Sequence, residues 1–312
     1  MINVGIVGSV SAIRKHTSAL NKIGGVRIIN HWISGGMLDS ATDSETGRVY
    51  TEPGPLLEKT DALIITEAGT FCSRMAVAAL RKARHVFLYP TVVHSFTEVY
   101  HLIQLAREAN VILKCGRTGT AGIQALIKAL PDTHDISMID FQHYRKITRP
   151  GSAGISEALL SDVEIINNLV HARVISIKAK GLCMLSSQPE ILNARLEFDN
   201  GCAVNYNCNL VAAQDEFLIT LVVRNKILKY NFLTGVLTGW YLQRTINQNE
   251  CPIFIESIQV EQTDSLWNDL SDYFTMILSG PAFLSINDNG FESYVLTDRI
   301  LDKVMKTLIQ CA

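Results

Sequence analysis

The sequence has no long hydrophobic run, no excess of basic residues and no cysteine pair spaced for metal binding. Its 28 Lys+Arg nearly balance its 30 Asp+Glu, so the formal net charge is −2 and no basic stripe is available to release counterions from a nucleic acid. Apolar stretches such as Ala62 to Ile65 are far shorter than the roughly 20 residues that span a bilayer. We therefore expect neither a nucleic-acid nor a membrane partner.

Cysteine and histidine motifs are also lacking. The 7 cysteines form no C-x-x-C pair, and the 8 histidines form no H-x-x-x-H or H-E-x-x-H pair, so no metal site is expected. Free buried thiols are typical of a reducing compartment. The first residues lack the basic and apolar regions of a secretory signal, and we expect a cytoplasmic protein.

Apolar residues, in contrast, are abundant enough for a large core, at 47% of 312 residues. At about 150 residues per domain this length predicts roughly two domains. Up to residue 115, short apolar runs alternate with helical patterns, which is typical of βαβ units in a doubly wound parallel sheet. From residue 136 onward, strand-like runs separated by turns such as Asp199-Asn200-Gly201 predict antiparallel hairpins.

These patterns predict an α/β domain at residues 1–115 and an α+β domain at 116–312, with a large, mostly antiparallel sheet covered by helices. The last helix is a candidate to pack back on the first domain. The predicted helices cover residues 11–22, 73–83, 96–109, 157–170, 265–278 and 298–309.

The first strand runs directly into a helix through Gly8, which is the context of a dinucleotide-binding turn. In the G-x-G-x-x-G turn the second glycine lets a pyrophosphate approach the backbone, and the third packs the helix on the strand. Val10 and Ile13 occupy those two places here, although Ser9, Ser11 and the N–H groups of the helix start are suited to an anion. The second strand ends at Ser34 without an acidic residue for the ribose, so the pattern does not choose between NAD and NADP. The candidate cofactor-binding residues are Gly8, Ser9, Val10, Ser11, Ala12, Ser34, Thr66, Glu67, Tyr89 and Pro90.

Several segments occur in the order seen in one known family. They are a strand ending at Leu88-Tyr89-Pro90, the segment Arg117-Thr118-Gly119-Thr120, and a late helix from Asp264 that is followed by Ser279-Gly280-Pro281. In this order the segments resemble the glucose-fructose oxidoreductase, inositol dehydrogenase and MocA family. The resemblance implies an N-terminal Rossmann domain, NAD or NADP as cofactor and a small hydroxylated, sugar-like substrate.

The resemblance also implies where the acid and base groups stand. Family members carry a lysine before the proline, near the nicotinamide, and an Asp and a His one helical turn apart in the second domain. Tyr89 replaces the lysine and Ile166 the histidine, whereas Asp162 is kept. Isoleucine cannot transfer a proton, so the candidate catalytic residues are Tyr89, Asp162 and Glu164. For the two carboxylates, a solvated or helix-capping role is the alternative.

A polar segment on the first strand of the second half supplies candidates for substrate binding. Alternation places His143 and Arg145 on one face, and a guanidinium is suited to a carboxylate or phosphate. The alternative is an exposed polar strand face. Arg117 is the third candidate, because it stands where the second domain begins.

The alternating Asn205, Asn207 and Asn209 line one face of a strand, which indicates a sheet edge or a subunit contact. The resemblance implies a homo-oligomer formed through the C-terminal sheet.

Three functions remain open at this point. The first is an active oxidoreductase of a small hydroxylated substrate. The second is an inactive family member that serves in binding or regulation. This single cause explains the residues found at Val10, Ile13, Leu88, Tyr89 and Ile166. The third is a reductase of a non-sugar substrate that resembles biliverdin reductase, which also has tyrosine at the place of Tyr89.

Overall fold

The fold is described from a computed structural model. The described residues are 1–33, 48–49, 53–66, 70–89, 96–116, 126–127, 136–147, 154–224, 226–242, 253–259, 265–279 and 288–310. The chain divides into two compact units, of which the first comprises residues 1–118 and 264–294 and the second residues 119–263 and 295–312.

A parallel sheet of short, buried strands forms the centre of the first unit. Its strands are β1 (Ile2–Gly8), β2 (Val26–Ile33), β3 (Arg48–Val49), β4 (Ala62–Ile65), β5 (His85–Leu88) and β6 (Leu113–Cys115). They lie in the order β3-β2-β1-β4-β5-β6, and every pair is parallel. This order confirms the predicted doubly wound sheet. It reverses direction between β1 and β4, where sheets of this kind bind ligands at the carboxyl ends of their strands.

Helices follow the strands of this sheet along the chain. They are α1 (Val10–Leu20), α2 (Pro53–Lys59), α3 (Thr70–Arg81) and α4 (Phe96–Ala109). Helix α1 buries Ile13 and Leu20, two turns apart on one face, against Ile6 of β1.

A large mixed sheet forms the centre of the second unit. Its strands are β7 (Ile136–Lys146), β8 (Val174–Cys183), β9 (Ile191–Phe198), β10 (Ala203–Ala212), β11 (Glu216–Val223), β12 (Lys226–Asn231), β13 (Val236–Leu242), β14 (Ile253–Gln259) and β15 (Ile309–Gln310). Their order is β14-β13-β12-β11-β7-β10-β9-β8-β15. The pairs β7–β10 and β8–β15 are parallel and the other pairs are antiparallel, which confirms the predicted, mostly antiparallel sheet.

The remaining helices are α5 (Ile155–Leu169), α6 (Ser265–Ser279) and α7 (Asp288–Lys306). Helix α5 covers one face of the large sheet, and its Val163 and Ile166 share a core with Phe141 of β7 and Val204 of β10.

Helix α6 belongs to the first unit despite its late place in the chain. Its Leu270 and Phe274 are buried in the same core as Ile6 of β1. The buried Lys114 of β6 donates to the carbonyl of Asp269 in α6 at 3.3 Å, which ties this helix to the sheet.

Several features differ from the sequence predictions, and three of these differences have a clear physical reason. Helix α7 begins at Asp288, ten residues before the predicted start, because its first turns are polar and lack an apolar period. Strand β13 was not predicted, since Gly239 interrupts its run of strand-forming residues; a Cβ there would lie 3.2 Å from Leu228 of the next strand. The edge interpretation of Asn205 to Asn209 is wrong, because β10 lies between β7 and β9.

Candidate functional site

The first strand-to-helix turn is an open helix N-terminus. Ser9 is the N-cap of α1, and its Oγ accepts the N–H of Ala12 at 3.4 Å. Val10 is 47% exposed, so the bulk of its side chain is directed to solvent, and Ser11 is exposed beside it. Ile13 fills a core position where a glycine would have allowed closer packing. The N–H groups of a first helical turn have no acceptor within the helix, so this turn is suited to an anion such as a pyrophosphate.

Gly8 and Thr66 join the carboxyl ends of β1 and β4. The Thr66 hydroxyl donates to the carbonyl of Val7 at 3.0 Å, and the Thr66 N–H donates to the same carbonyl at 2.9 Å. A Cβ at residue 8 would overlap Thr66 Oγ1, which explains why glycine occupies this position. The turn is therefore held at the point where the strand order reverses.

Tyr89, which follows β5, forms a side-chain hydrogen bond with His16 of helix α1. The His16 ring donates through Nδ1 to the Ala12 carbonyl at 2.6 Å, because a carbonyl can only accept. Burial lowers the pKa of His16, which favours the neutral ring. Nε2 is then an acceptor, and the Tyr89 hydroxyl donates to it at 3.0 Å. The hydroxyl that the sequence offers as an acid is thus hydrogen-bonded to a histidine of helix α1.

Asp162 lies at the centre of a buried polar cluster in the second unit. Its side chain is 0% exposed, so the interpretation as a solvated or helix-capping carboxylate is wrong. Oδ2 accepts from His143 Nδ1 at 2.7 Å and from the Tyr206 hydroxyl at 2.8 Å. Oδ1 is buried and has no hydrogen-bond partner in the part of the chain that the structure describes.

Burial raises the pKa of Asp162, and the hydrogen bonds from His143 and Tyr206 and the charge of Arg145 oppose that rise. Burial together with the neighbouring carboxylate raises the pKa of Tyr206 well above 10. The tyrosine therefore stays protonated and acts as a donor. The cluster thus places one carboxyl group, with two polar partners on one of its oxygens, out of contact with solvent.

His143 occupies the helix-facing side of β7 rather than an exposed polar face, so that alternative is wrong for His143. The residue is 9% exposed, and its ring stacks on Phe217 at 4.3 Å between centroids. Arg145, two residues on, is exposed. His143 and Arg145 were predicted to lie on one face of the strand. Both lower the pKa of Asp162, which agrees with that placement.

Glu164 is buried but lies two residues after Asp162 on α5, and side chains at that spacing do not face each other. Ile166, at the place of the family histidine, is fully buried in the core. Helix α5 therefore supplies a carboxylate, and the imidazole beside it comes from β7.

Four of the predicted site residues lie outside the described residues: Ser34, Glu67, Pro90 and Arg117. Within the described part of the chain, no group of three His, Cys, Asp or Glu side chains is placed to hold a metal ion. Among the described helices, none is long and apolar enough to cross a membrane.

His16 and Tyr206 are functional candidates that the sequence did not reveal. Tyr206 alternates with Val204 and Cys208 like any core residue, and His16 sits on an amphipathic helix far from Tyr89 in sequence. No local pattern distinguishes either residue from a structural one.

No protein-family model matches the sequence, and no curated protein is similar to it. Solved structures, however, match it over nearly its whole length. UDP-N-acetylglucosamine 3-dehydrogenase GnnA from Acidithiobacillus ferrooxidans has a TM-score of 0.83 at 15% identity, with 98% of both chains covered. The chain has the two-domain fold of the glucose-fructose oxidoreductase, inositol dehydrogenase and MocA dehydrogenases.

Two further structures share this fold and were solved with ligands. KijD10, a 3-ketoreductase from Actinomadura kijaniata in complex with TDP-benzene and NADP, has a TM-score of 0.75 at 16% identity, with 99% of this chain and 98% of that chain covered. Biliverdin reductase from Synechocystis, in complex with biliverdin and NADP+, has a TM-score of 0.74 at 16% identity, with 97% of this chain and 99% of that chain covered. The predicted resemblance is confirmed for the fold.

The buried His16 makes stability depend on pH. Because its folded-state pKa lies below the ordinary 6.5, its contribution is complete above about pH 6.5 and is lost as the pH falls through the folded-state value. We expect the free energy of unfolding, measured by urea denaturation, to decrease on acidification from pH 6.5, and His16→Gln to reduce this dependence. His85, whose pKa is also lowered by burial, leaves a residual slope.

The control is His101→Gln on the exposed face of α4, which should keep the pH profile of the unchanged protein. Equal slopes for the unchanged protein and His16→Gln would show that the histidine does not titrate differently on folding.

Proposed function

We propose that the chain is an NAD(P)-dependent oxidoreductase that acts on a small hydroxylated, sugar-like compound. The observation that carries this proposal is the buried Asp162 carboxylate bonded to His143. Burial of a carboxylate with one oxygen unpaired is costly, and such groups cluster where a protein transfers protons. A protein that only binds a ligand has no evident use for this arrangement, which argues against the inactive alternative.

The cofactor belongs to the domain that we place at residues 1–115. Gly8, Thr66 and the turn Ser9 to Ala12 fit a pyrophosphate, because the turn offers first-turn N–H groups and two hydroxyls without an acidic side chain. Ser34, Glu67 and Pro90 complete the proposed set. When bound, a nicotinamide accepts or delivers a hydride.

The chain's own groups handle the proton and the substrate. Tyr89 remains a candidate acid, since its hydroxyl hydrogen needs only to turn from His16 to a substrate oxygen. Asp162 and Glu164 remain the candidate carboxylates. Arg145 carries an exposed positive charge on the face of His143, and with Arg117 it is a candidate to bind an anionic part of the substrate.

The substrate class follows from these charges and from the structural neighbours. GnnA is a dehydrogenase of UDP-N-acetylglucosamine, and KijD10 was solved with TDP-benzene. A sugar nucleotide offers both a secondary alcohol and phosphates for an arginine. UDP-N-acetylglucosamine is therefore the first probe, and biliverdin, bound by another neighbour, tests the alternative of a non-sugar reductase.

Cofactor binding tests the proposal directly. We expect saturable binding of NADPH or NADH to cofactor-free protein, followed by nicotinamide fluorescence and by a rise in the thermal midpoint. Ser11→Asp should weaken binding by about tenfold or more, because its carboxylate repels the pyrophosphate. The same substitution should leave the thermal midpoint of the cofactor-free protein unchanged or raise it, since an acidic residue stabilises the N-terminus of a helix.

Ser18→Asp, at an exposed position of the same helix, is the matched control and should not affect binding. Absence of binding at millimolar cofactor would overturn the proposed function. Binding that is indifferent to Ser11→Asp would place the cofactor away from α1.

The partner of this chain is proposed to be a second copy bound through the open face of the large sheet, opposite α5. Strand register places Met138, Val222, Ile227, Trp240 and Ile255 in one apolar row across that face, and Ile255 is 66% exposed. Burial of such a row removes apolar surface from water.

We expect sedimentation velocity to give a dimer or larger assembly and Ile255→Glu to shift it toward monomer. Ser18→Glu, at an exposed position of α1 in the first unit, is the control for added charge. A monomer at micromolar concentration would contradict this part of the proposal.

A further inference from the structure

The imidazole of His143 stands beside Asp162, although α5 has no histidine of its own. Strand β7 lies between β10 and β11, and its residue 143 pairs with Cys208 on one side and Phe217 on the other. Helix α5 packs over these strands, so the Asp162 carboxylate meets His143 Nδ1 at 2.7 Å. Ile166 provides no acid–base group beside the carboxylate. The histidine next to Asp162 comes from the sheet instead.

The hydrogen bonds around Asp162 bear on which nitrogen of His143 carries the hydrogen. The Tyr206 hydroxyl donates to Oδ2 at 2.8 Å, and His143 Nδ1 lies 2.7 Å from the same oxygen. If Asp162 is ionised, Oδ2 can only accept, and Nδ1 is then the protonated nitrogen of His143. Nε2 then carries the lone pair, which is the requirement for a base.

Aromatic stacking orients the ring of His143, and the side chain keeps a small solvent-exposed surface. Phe217 stacks on it at 4.3 Å between centroids and 18° between planes, and Phe232 stacks on Phe217 in turn. The His143 side chain is 11% exposed, whereas that of Asp162 is 0% exposed. Of these two side chains, His143 therefore keeps some surface in contact with solvent and Asp162 keeps none.

The other titratable groups near Asp162 are poorly suited to take up a proton. Tyr206 is already a donor to Asp162, and burial raises the pKa of the Cys208 thiol to about 12, so both stay protonated at neutral pH. Arg145 has no basic form in a protein. Glu164 lies on a different side of α5.

We propose that His143 Nε2 is the atom that exchanges a proton with the substrate hydroxyl and that Asp162 is its positioning residue. This inference rests on the proposed function. In the oxidation direction the substrate O–H bond breaks and its proton goes to Nε2, while the C–H hydrogen leaves with both electrons for the oxidised nicotinamide. The C–O bond becomes C=O, so the alcohol is oxidised by two electrons and NAD(P)+ is reduced. The resulting imidazolium is stabilised by the Asp162 carboxylate.

Diethyl pyrocarbonate, which acylates unprotonated imidazole nitrogens, tests this assignment on the cofactor-free protein. We expect mass-spectrometric mapping to find modification at His143 and at the exposed His171, but not at His16, whose two ring nitrogens are both bonded. His143 as unreactive as His16 would overturn the inference, whatever the cofactor does.

Asp162→Asn tests the positioning role by the rate of that modification. With Asn at residue 162 the imidazole loses its charged hydrogen-bond partner and Nε2 becomes a weaker nucleophile, so we expect His143 to react about threefold more slowly, while His171 keeps its rate. The matched control is Asp140→Asn on the opposite face of β7, which should change neither rate. An unchanged or faster reaction at His143 in Asp162→Asn would contradict the positioning role.

Turnover distinguishes failure of this inference from failure of the proposed function. His143→Asn keeps a donor near Asp162 but has no Nε2, so kcat/KM for UDP-N-acetylglucosamine with NADP+ should fall about 10²–10⁴-fold while the Kd for NADPH stays the same. Full turnover by this variant would contradict the inference but not the proposed function. Failure of the unchanged protein to bind NADPH would sink the proposed function, with the reactivity of His143 still deciding the assignment of Nε2.

Discussion

The buried carboxylate of Asp162 is the constraint on which the account of the second unit depends. A charge without water is costly unless donors surround it, and here two donors converge on one oxygen. Those donors come from two paired strands, β7 and β10, whereas the carboxylate comes from the helix above them. Sheet register and helix packing must therefore both be correct for the cluster to form, which links the chemistry of the site to the fold that holds it.

In the first unit, side-chain hydrogen bonds between neutral groups likewise connect separate elements. His16 receives the Tyr89 hydroxyl on one ring nitrogen and donates to Ala12 with the other, so the turn after β1 is tied to the end of β5. Thr66 performs a similar task between β1 and β4. The turn after β1 is thus fixed by side chains from neighbouring strand ends, and bulky Val10 and Ile13 are tolerated because one is directed to solvent and the other joins the core.

The sequence predicts most of this architecture because its strong signals are local. Helix α4 was predicted with its observed bounds, since apolar periodicity and flanking turns mark both of its ends. The prediction that β10 is an edge strand is wrong for the opposite reason, because strand order depends on pairing between segments far apart in sequence. Strand β7 lies between β10 and β11 in the sheet although it is remote from both in the chain.

The site was predicted less well for the same physical reason. The sequence marks Asp162 and His143 separately, and alternation places Arg145 on the face of His143. Nothing in the local pattern shows that α5 buries the carboxylate over residue 143, or that Tyr206 is a donor rather than a core aromatic. Such contacts depend on how a helix lies across three strands, which no spacing along one element encodes.

The protonation pattern of the His143 ring tests the central claim most directly. Long-range 1H–15N NMR, at a pH where the imidazole is neutral, should show the hydrogen on Nδ1 and an unprotonated Nε2, with the Nδ1 proton shifted far downfield by the Asp162 carboxylate. A hydrogen on Nε2 instead would mean that Asp162 carries the proton and donates it to Nδ1, and it would contradict the role assigned to the buried carboxylate.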